Sequence, residues 1–142
     1  MIFWDSSALA RGYFESEPGH PRAKNLLLAS ESHFGSVLVR PETVSGIVRR
    51  FLPDKGRVEA ALRVFDDHLK HFDLAPIDDL QIERAIRLIR THGLRAADAL
   101  HLAAALLVAR TLGRRPLRFA TADREQAAAA RKEGLKVIEI GA

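Results

Sequence analysis

Cysteine is absent from the 142 residues of this chain, which excludes disulfide bonds, thiolate zinc sites and cysteine nucleophiles. Long hydrophobic segments are absent as well, since the apolar run at residues 103–109 is far shorter than the roughly 20 residues that cross a bilayer. The first residues do not combine a basic stretch with an apolar one, as a secretory signal would. From these absences we expect a soluble, cytoplasmic protein that does not associate with membranes.

Acidic residues are outnumbered by basic ones, which gives a formal net charge of +4. Arginine accounts for seventeen of the 22 basic residues, and its planar guanidinium group matches phosphate better than the ammonium group of lysine does. A charge of this size is also typical of an ordinary solvated surface, so it permits nucleic-acid binding without identifying it. The length and the apolar content of 47% predict a single domain over residues 1–142.

Short apolar segments alternate with longer segments of helical periodicity along the chain. Strands are predicted at residues 1–4, 34–39, 72–77, 117–120 and 136–140. Helices are predicted at residues 6–13 and 22–30, from Pro41 to Pro53, at residues 58–69, from Asp78 or Asp79 to Gly93, and at residues 96–112 and 123–132. Short strands separated by helices predict an α/β fold in which a parallel sheet is covered on both faces.

Four acidic residues that are far apart in the sequence fall at one edge of this predicted sheet. Asp5 ends the first strand, and Glu42 lies just past the second strand, in the first turn of its helix. Asp98 is in the first turn of the apolar helix at residues 96–112, and Asp123 follows the fourth strand. Right-handed crossovers bring the carboxyl ends of the strands and the amino ends of the helices to the same edge. We therefore expect the four carboxylates to converge.

A bound cation would explain why these acids are placed together. Acids are common in first helical turns because they complement the helix dipole, but an ionised Asp98 among alanine and leucine is costly to bury without a partner. Carboxylates that lie close together repel one another, and Mg²⁺ or Mn²⁺, which bind oxygen ligands, would relieve the repulsion. The remaining 22 basic and 14 acidic residues would surround this centre, which is an arrangement suited to phosphodiester cleavage.

Four sequence blocks contain these acids: DSSAL at residues 5–9, Glu42 after a predicted strand, LRAADALHLA at residues 94–103 and ATADR at residues 120–124. In their order and spacing they resemble the PIN-domain nucleases, and within these the VapC-type toxins of bacterial and archaeal toxin–antitoxin modules. The resemblance covers essentially the whole chain. The last two blocks are its most specific part, whereas the Asp-Ser-Ser start alone is a weak signal.

The resemblance implies a PIN-like three-layer α/β/α fold with a central parallel sheet of four or five short strands. It also implies a Mg²⁺- or Mn²⁺-dependent endoribonuclease, the toxin component of a type II toxin–antitoxin system. The implied catalytic and metal-binding residues are Asp5, Glu42, Asp98 and Asp123. In such a mechanism Glu42 or Asp98 accepts a proton from the attacking water. The implied partners are an RNA substrate, a cognate antitoxin and a second copy of the chain in a homodimer.

Several polar residues near the acids have two interpretations each. Ser6 orients a carboxylate or caps the first helix, for which Ser7 is also suited. Thr121 resembles the hydroxyl position that braces the first aspartate in these nucleases. His101 lies one turn beyond Asp98 on the same helix face, where hydrogen bonding around the site is favoured over metal binding. The only further acid near Asp123 is Glu125, for which a solvated position is favoured.

Charged and apolar surface residues suggest where partners bind. Five arginines could line an RNA path, although each alone is typical of a surface charge: Arg11, Arg49, Arg50, Arg95 and Arg124. Five large apolar residues are more than a small core obviously needs, so some are expected in an exposed groove for an amphipathic partner helix: Tyr13, Phe14, Phe51, Leu62 and Phe65. A place in the core is at least as consistent for Phe51 and Phe65.

Two other functions remain open at the level of sequence. A haloacid-dehalogenase-like phosphatase also begins with an aspartate after its first strand, but it needs a second aspartate two residues later, where this chain has Ser7. A non-catalytic PIN-like binding module is the stronger alternative. The presence of all four acids argues against it, and metal-dependent RNA cleavage would separate the two.

Overall fold

The strands form one parallel sheet in the computed structural model, which describes residues 1–113 and 115–141. The strands are β1 (Ile2–Trp4), β2 (His33–Ser36), β3 (Phe72–Ala75), β4 (Arg118–Thr121) and β5 (Lys136–Glu139). Their order across the sheet is β3-β2-β1-β4-β5, and every neighbouring pair is parallel. The central strand is therefore β1, which pairs Trp4 with Gly35 of β2 and with Ala120 of β4. The expected parallel sheet of four or five strands is confirmed, with five.

Within the same residues the chain forms seven helices. They are α1 (Ser6–Arg11), α2 (His20–Leu28), α3 (Val39–Phe51), α4 (Lys55–Leu69), α5 (Asp79–His92), α6 (Ala96–Leu112) and α7 (Arg124–Lys132). None of these described helices is both long enough and apolar enough to span a bilayer.

The helices cover the sheet from both sides, because successive side chains of a strand point to opposite faces. On β1, Phe3 points into a core built with α5, α6 and α7, where it stacks on Phe119 with ring centroids 5.9 Å apart. Ile2 and Trp4 point into a second core built with α1 to α4. All three side chains of β1 are completely buried. The three-layer α/β/α architecture is confirmed.

Two predicted strands are shorter in the structure, and proline explains both differences. The second strand was predicted at residues 34–39, but β2 ends at Ser36 and α3 already begins at Val39. Pro41 lies in the first turn of α3, where a helix does not need the backbone N–H that proline lacks. The third strand, predicted at residues 72–77, ends at Ala75 because Pro76 cannot donate a hydrogen bond to the sheet.

Candidate active site

The four sequence-predicted acids lie at one edge of the sheet, on four different segments. Asp5 directly follows β1 and caps α1, and Asp123 follows β4 and caps α7. Because β1 and β4 are neighbours, these two positions are close, and the backbone N–H of Asp5 donates to the carbonyl of Ala120 at 2.9 Å. Glu42 is in the first turn of α3, and Asp98 is in the first turn of α6. This is the edge at which open α/β folds bind their ligands.

Asp5 is held by hydrogen bonds on both of its carboxylate oxygens and is only 1% exposed. Its Oδ2 accepts from the backbone N–H of Ser7 at 3.0 Å and from the hydroxyl of the same residue. Its Oδ1 accepts from the side-chain amide of Gln126 at 3.0 Å. Asp5 therefore caps α1, and neither Ser6 nor Ser7, both of which are suited to that role, takes it.

Gln126 is a residue of the site that sequence reasoning misses. It is completely buried, and its Nε2 donates both to Asp5 Oδ1 and to the backbone carbonyl of Asp98, at 3.0 and 3.1 Å. Its Oε1 accepts from the hydroxyl of Thr121 at 2.6 Å, and its backbone N–H donates to Asp123 Oδ1 at 2.8 Å. The signal in the sequence is a polar residue on the buried, alanine-rich face of α7.

Thr121 takes part in the same network, but not through the contact that the resemblance implies. Its hydroxyl accepts from the backbone N–H of Asp123 at 3.0 Å and donates to Gln126. Ser7, another residue that sequence reasoning misses, lies 3.4 Å from Thr121, oxygen to oxygen, and its hydroxyl contacts Asp5. Thr121 therefore braces Asp5 indirectly, through Ser7 and Gln126.

Glu42 is held by two side chains on neighbouring elements. Ser6 donates its hydroxyl hydrogen to Glu42 Oε1 at 3.1 Å, so Ser6 orients a carboxylate, which is one of its two expected roles. His101 Nε2 is hydrogen-bonded to the same oxygen and lies 3.8 Å from Asp5 Oδ1. Burial alone would raise the pKa of Glu42, but the hydrogen bond and charge of His101, together with Ser6, lower it below its usual value.

Asp98 is the acid whose titration is most clearly changed by the others. Burial raises the pKa of Asp98, and the negative charges of Asp5 and Asp123 raise it further, to about 6. Glu42 adds to this effect, whereas the charge of His101 opposes it. Burial and the neighbouring negative charges therefore act in the same direction, and both favour the protonated form of Asp98.

The chemistry of this donor set fits a hard divalent cation. Carboxylate oxygens are the ligands that Mg²⁺ and Mn²⁺ prefer, and a cation would relieve the repulsion felt by Asp98. In the described part of the chain, no three His, Asp or Glu side chains are arranged so that they could hold one metal ion. Oxygens of Asp5 and Glu42 are instead engaged by hydrogen-bond donors of the protein.

Glu125 is exposed on α7, in the solvated position that was favoured for it.

The five arginines that were expected along an RNA path fall into three groups. Arg49 forms one alone, in the last turn of α3 and so at the opposite end of that helix from Glu42. Arg11 and Arg50 form ion pairs with Glu17, at 3.5 and 2.8 Å, and so have a structural role. Arg95 and Arg124 are exposed and adjoin the acidic edge. Arg95 is the residue before α6, three positions from Asp98, and Arg124 is the first residue of α7. These two have the better position for contact with a phosphate chain.

Comparison with known proteins identifies the family. A family model described as PIN domain matches residues 2–132. The crystal structure of FitAcB from Neisseria gonorrhoeae superposes with a TM-score of 0.71 at 22% identity, covering 98% of this chain and 97% of that one. A structure of FitAB bound to an IR36 DNA fragment gives a TM-score of 0.68 at 20% identity, covering 98% and 94%. No curated protein sequence matches the chain. At these identities the two structures establish the shared fold, and the family match establishes that the chain belongs to the PIN domain family.

Proposed function

We propose that this protein is a metal-dependent endoribonuclease in which Asp5, Glu42, Asp98 and Asp123 bind Mg²⁺ or Mn²⁺. PIN domains are generally nucleases that use divalent metal ions. The observation that carries the proposal is that four acids from four different segments meet at one edge of the sheet, where burial and the charges of its neighbours raise the pKa of Asp98 to about 6. A cluster of carboxylates that destabilises itself is typical of a functional site, because a purely structural role would be met at less cost by neutral residues.

The side chains of the protein contribute position and charge to the proposed reaction. When bound, the cation lowers the pKa of a water molecule and offsets the charge that develops on the phosphate. Ser7 and Gln126 hold Asp5, and His101 holds Glu42, so these carboxylates are oriented before a substrate arrives. We assign the acceptance of the proton from water to Glu42 or Asp98.

We further propose that the protein is the toxin of a toxin–antitoxin module, active in the cytoplasm, and that an antitoxin protein covers an apolar groove. The groove has a volume of about 530 Å³ and lies between α2 and α4, beside the segment that follows α1. Leu28 and Val64 line it and are 66% and 48% exposed, so the groove presents apolar surface to solvent. Lys24 and Arg57 also line it. An amphipathic helix with acidic residues beside its apolar face would match this surface.

The residues that were expected to form a groove are divided between groove and core. Tyr13 and Phe51 line the groove, although Tyr13 is only 8% exposed. Phe65 is fully enclosed in the core between the sheet and α1 to α4, which is the alternative considered for it. Phe14 and Leu62 pack against the same core and are partly buried. A homodimer, the other assembly that the resemblance implies, is part of the proposal, and light scattering of the purified protein measures it.

A labelled RNA without free ends provides the test of the proposed activity. A circular RNA is cut by an endonuclease but not by an exonuclease, and the matching circular single-stranded DNA tests whether the activity is specific for RNA. Cleavage of the RNA in MnCl₂ and its absence in EDTA are the expected results. Metal-dependent binding of RNA without cleavage would instead favour the non-catalytic binding module. Hydrolysis of small phosphate monoesters would favour the phosphatase, for which Ser7 stands at the position of a required aspartate.

A further inference from the structure

We infer that Gln126 is a positioning residue for the acidic cluster, and that it acts through an uncharged amide that fixes the carboxylate of Asp5 against the first turns of α6 and α7. This inference rests on the proposed function, since the residues that Gln126 positions are the proposed metal ligands. It adds a residue that neither the sequence blocks nor the family match single out.

The contacts of Gln126 use both donor hydrogens of its amide and one of the two acceptor positions of its oxygen. Both hydrogens of Nε2 are donated, one to Asp5 Oδ1 at 3.0 Å and one to the carbonyl of Asp98 at 3.1 Å. The oxygen Oε1 is oriented by the hydroxyl of Thr121 at 2.6 Å. The side chain is completely buried, so these bonds are not exchanged with solvent. One residue thus ties β1, β4, α6 and α7 together at the edge where the acids meet.

A second glutamine of the chain shows that this arrangement is not a general property of the helix start. Gln81 occupies the same position in α5 that Gln126 occupies in α7, three residues after a capping aspartate, whose oxygen accepts from its backbone N–H at 2.9 Å. It is also buried, at 2% exposure. However, its side-chain oxygen and nitrogen have no hydrogen-bond partner among the residues that the structure describes. The cap explains the backbone bond in both helices, whereas the side-chain bonds are specific to Gln126.

The absence of charge on Gln126 is central to the inference. A buried carboxylate needs hydrogen-bond donors, and an apolar residue at position 126 would leave Asp5 Oδ1 without this one. A lysine or arginine would also donate, but its positive charge would neutralise the acids and compete with a cation for them. An amide satisfies Asp5 and keeps the negative charge of the cluster intact. The side chain therefore orients the site without reducing its attraction for a divalent ion.

The test compares Gln126→Met with the matched control Gln81→Met in the full-length protein. Methionine keeps the length and approximate volume of glutamine and removes its hydrogen bonds. Calorimetric titration of each protein with MnCl₂ alone measures its affinity for the cation in the absence of RNA. Loss of a residue that orients metal ligands typically weakens metal binding by about 10–100-fold, and we expect this for Gln126→Met and no change for Gln81→Met. We also expect kcat to fall while KM for RNA stays within about twofold.

The outcomes separate this inference from the proposed function. A Gln126→Met protein that melts at a lower temperature but binds Mn²⁺ and cleaves RNA like the wild type would overturn the inference alone, because Gln126 would then be only a packing residue. A wild-type protein that neither binds Mn²⁺ nor cleaves RNA would overturn the proposed function and the inference with it. If Gln126→Met does not fold, Gln126→Asn replaces it. This variant keeps the amide but withdraws it by one methylene, and normal Mn²⁺ affinity in it would equally overturn the inference.

Discussion

The imidazole of His101 and the carboxylate of Glu42 form a buried hydrogen-bonded pair that joins α6 to α3 at the edge of the sheet. His101 is completely buried, and its Nδ1 has no partner among the described residues. Burial lowers the pKa of His101, but the hydrogen bond to Glu42 and the charges of Asp5, Glu42 and Asp98 outweigh it and raise the pKa overall. The carboxylates around His101 therefore favour its protonated form over that of a free imidazole.

Replacement of His101 by leucine should release Glu42 and reduce RNA cleavage by about 10–100-fold, as loss of a residue that orients a metal ligand typically does. The pKa of Glu42 should rise, since His101 holds it down. Carboxyl NMR of the metal-free protein measures that shift. The matched control is His92→Leu, because His92 contacts Glu133 at 2.9 Å on another part of the surface. Equal losses of activity in the two variants would indicate a general effect on stability instead.

Replacement of Asp98 by asparagine should stabilise the metal-free protein by about 1 kcal/mol at pH 7. This value is smaller than the shift in pKa alone would give, because the group is only half-buried and water screens its charge. Urea denaturation in EDTA measures the difference. If Asp98→Asn were less stable than the wild type, Asp98 would be a structural partner of the fold and not a member of a repulsive cluster.

The same residue predicts a pH dependence. The pKa of Asp98 is raised from 3.8 to about 6 in the folded protein, so the folded state takes up a proton before the unfolded state does. Its destabilising contribution is therefore fully present above about pH 6, and it disappears as the pH falls towards 3.8. The stability advantage of Asp98→Asn should shrink over this range. An advantage that stays constant from pH 7 to pH 4 would contradict the assigned pKa.

The position of the acids could be predicted from the sequence because it depends on topology alone. The alternation of strands and helices predicts a parallel sheet, and the crossover rule then brings Asp5, Glu42, Asp98 and Asp123 to one edge. The error at α3 shows the limit of such reasoning. The predicted helix begins at Pro41, but α3 begins two residues earlier, at Val39, so that Pro41 lies inside its first turn, where proline is tolerated.

The side-chain network could not be predicted in the same way. Gln126 contacts Asp5 across 121 positions of the sequence, and no periodicity predicts a contact of that kind. Thr121 was expected to brace Asp5, but side-chain lengths and rotamers place Ser7 and Gln126 between them. Ser6 and Ser7 are both suited to cap α1, yet Asp5 is a good capping residue as well and stands one position before Ser6.

Arg95 and Arg124 should contribute to RNA binding through phosphate contacts. These variants are made in an Asp98→Asn background, which prevents cleavage. The logarithm of the RNA association constant K falls linearly with log [KCl], and substitution of either arginine by glutamine should make this slope less steep by about 0.7, the value for one contact with a single strand. Arg63→Gln, an exposed arginine of α4, is the control and should leave the slope unchanged. If all three variants change the slope equally, binding is spread over the whole basic surface.

The groove between α2 and α4 should be the site at which an antitoxin binds. Leu28→Glu and Val64→Glu alter exposed residues of the groove and should leave RNA cleavage intact. Cells that co-express either variant with the product of the short adjacent reading frame should stop growing, whereas cells with the wild-type pair should grow. Leu80→Glu, at a 57% exposed position of α5, should behave like the wild type. Full inhibition of both groove variants would place the partner elsewhere.

Cleavage of RNA as a function of MnCl₂ by the wild type, Asp98→Asn and Asp79→Asn tests the central claim most directly. Asp79 is also an acid in the first turn of a helix, but it is an exposed residue of α5. The account predicts cleavage by the wild type and Asp79→Asn that rises with Mn²⁺, and a loss of at least about 100-fold in Asp98→Asn. Cleavage by Asp98→Asn at the wild-type rate, or cleavage by the wild type in EDTA, would contradict it.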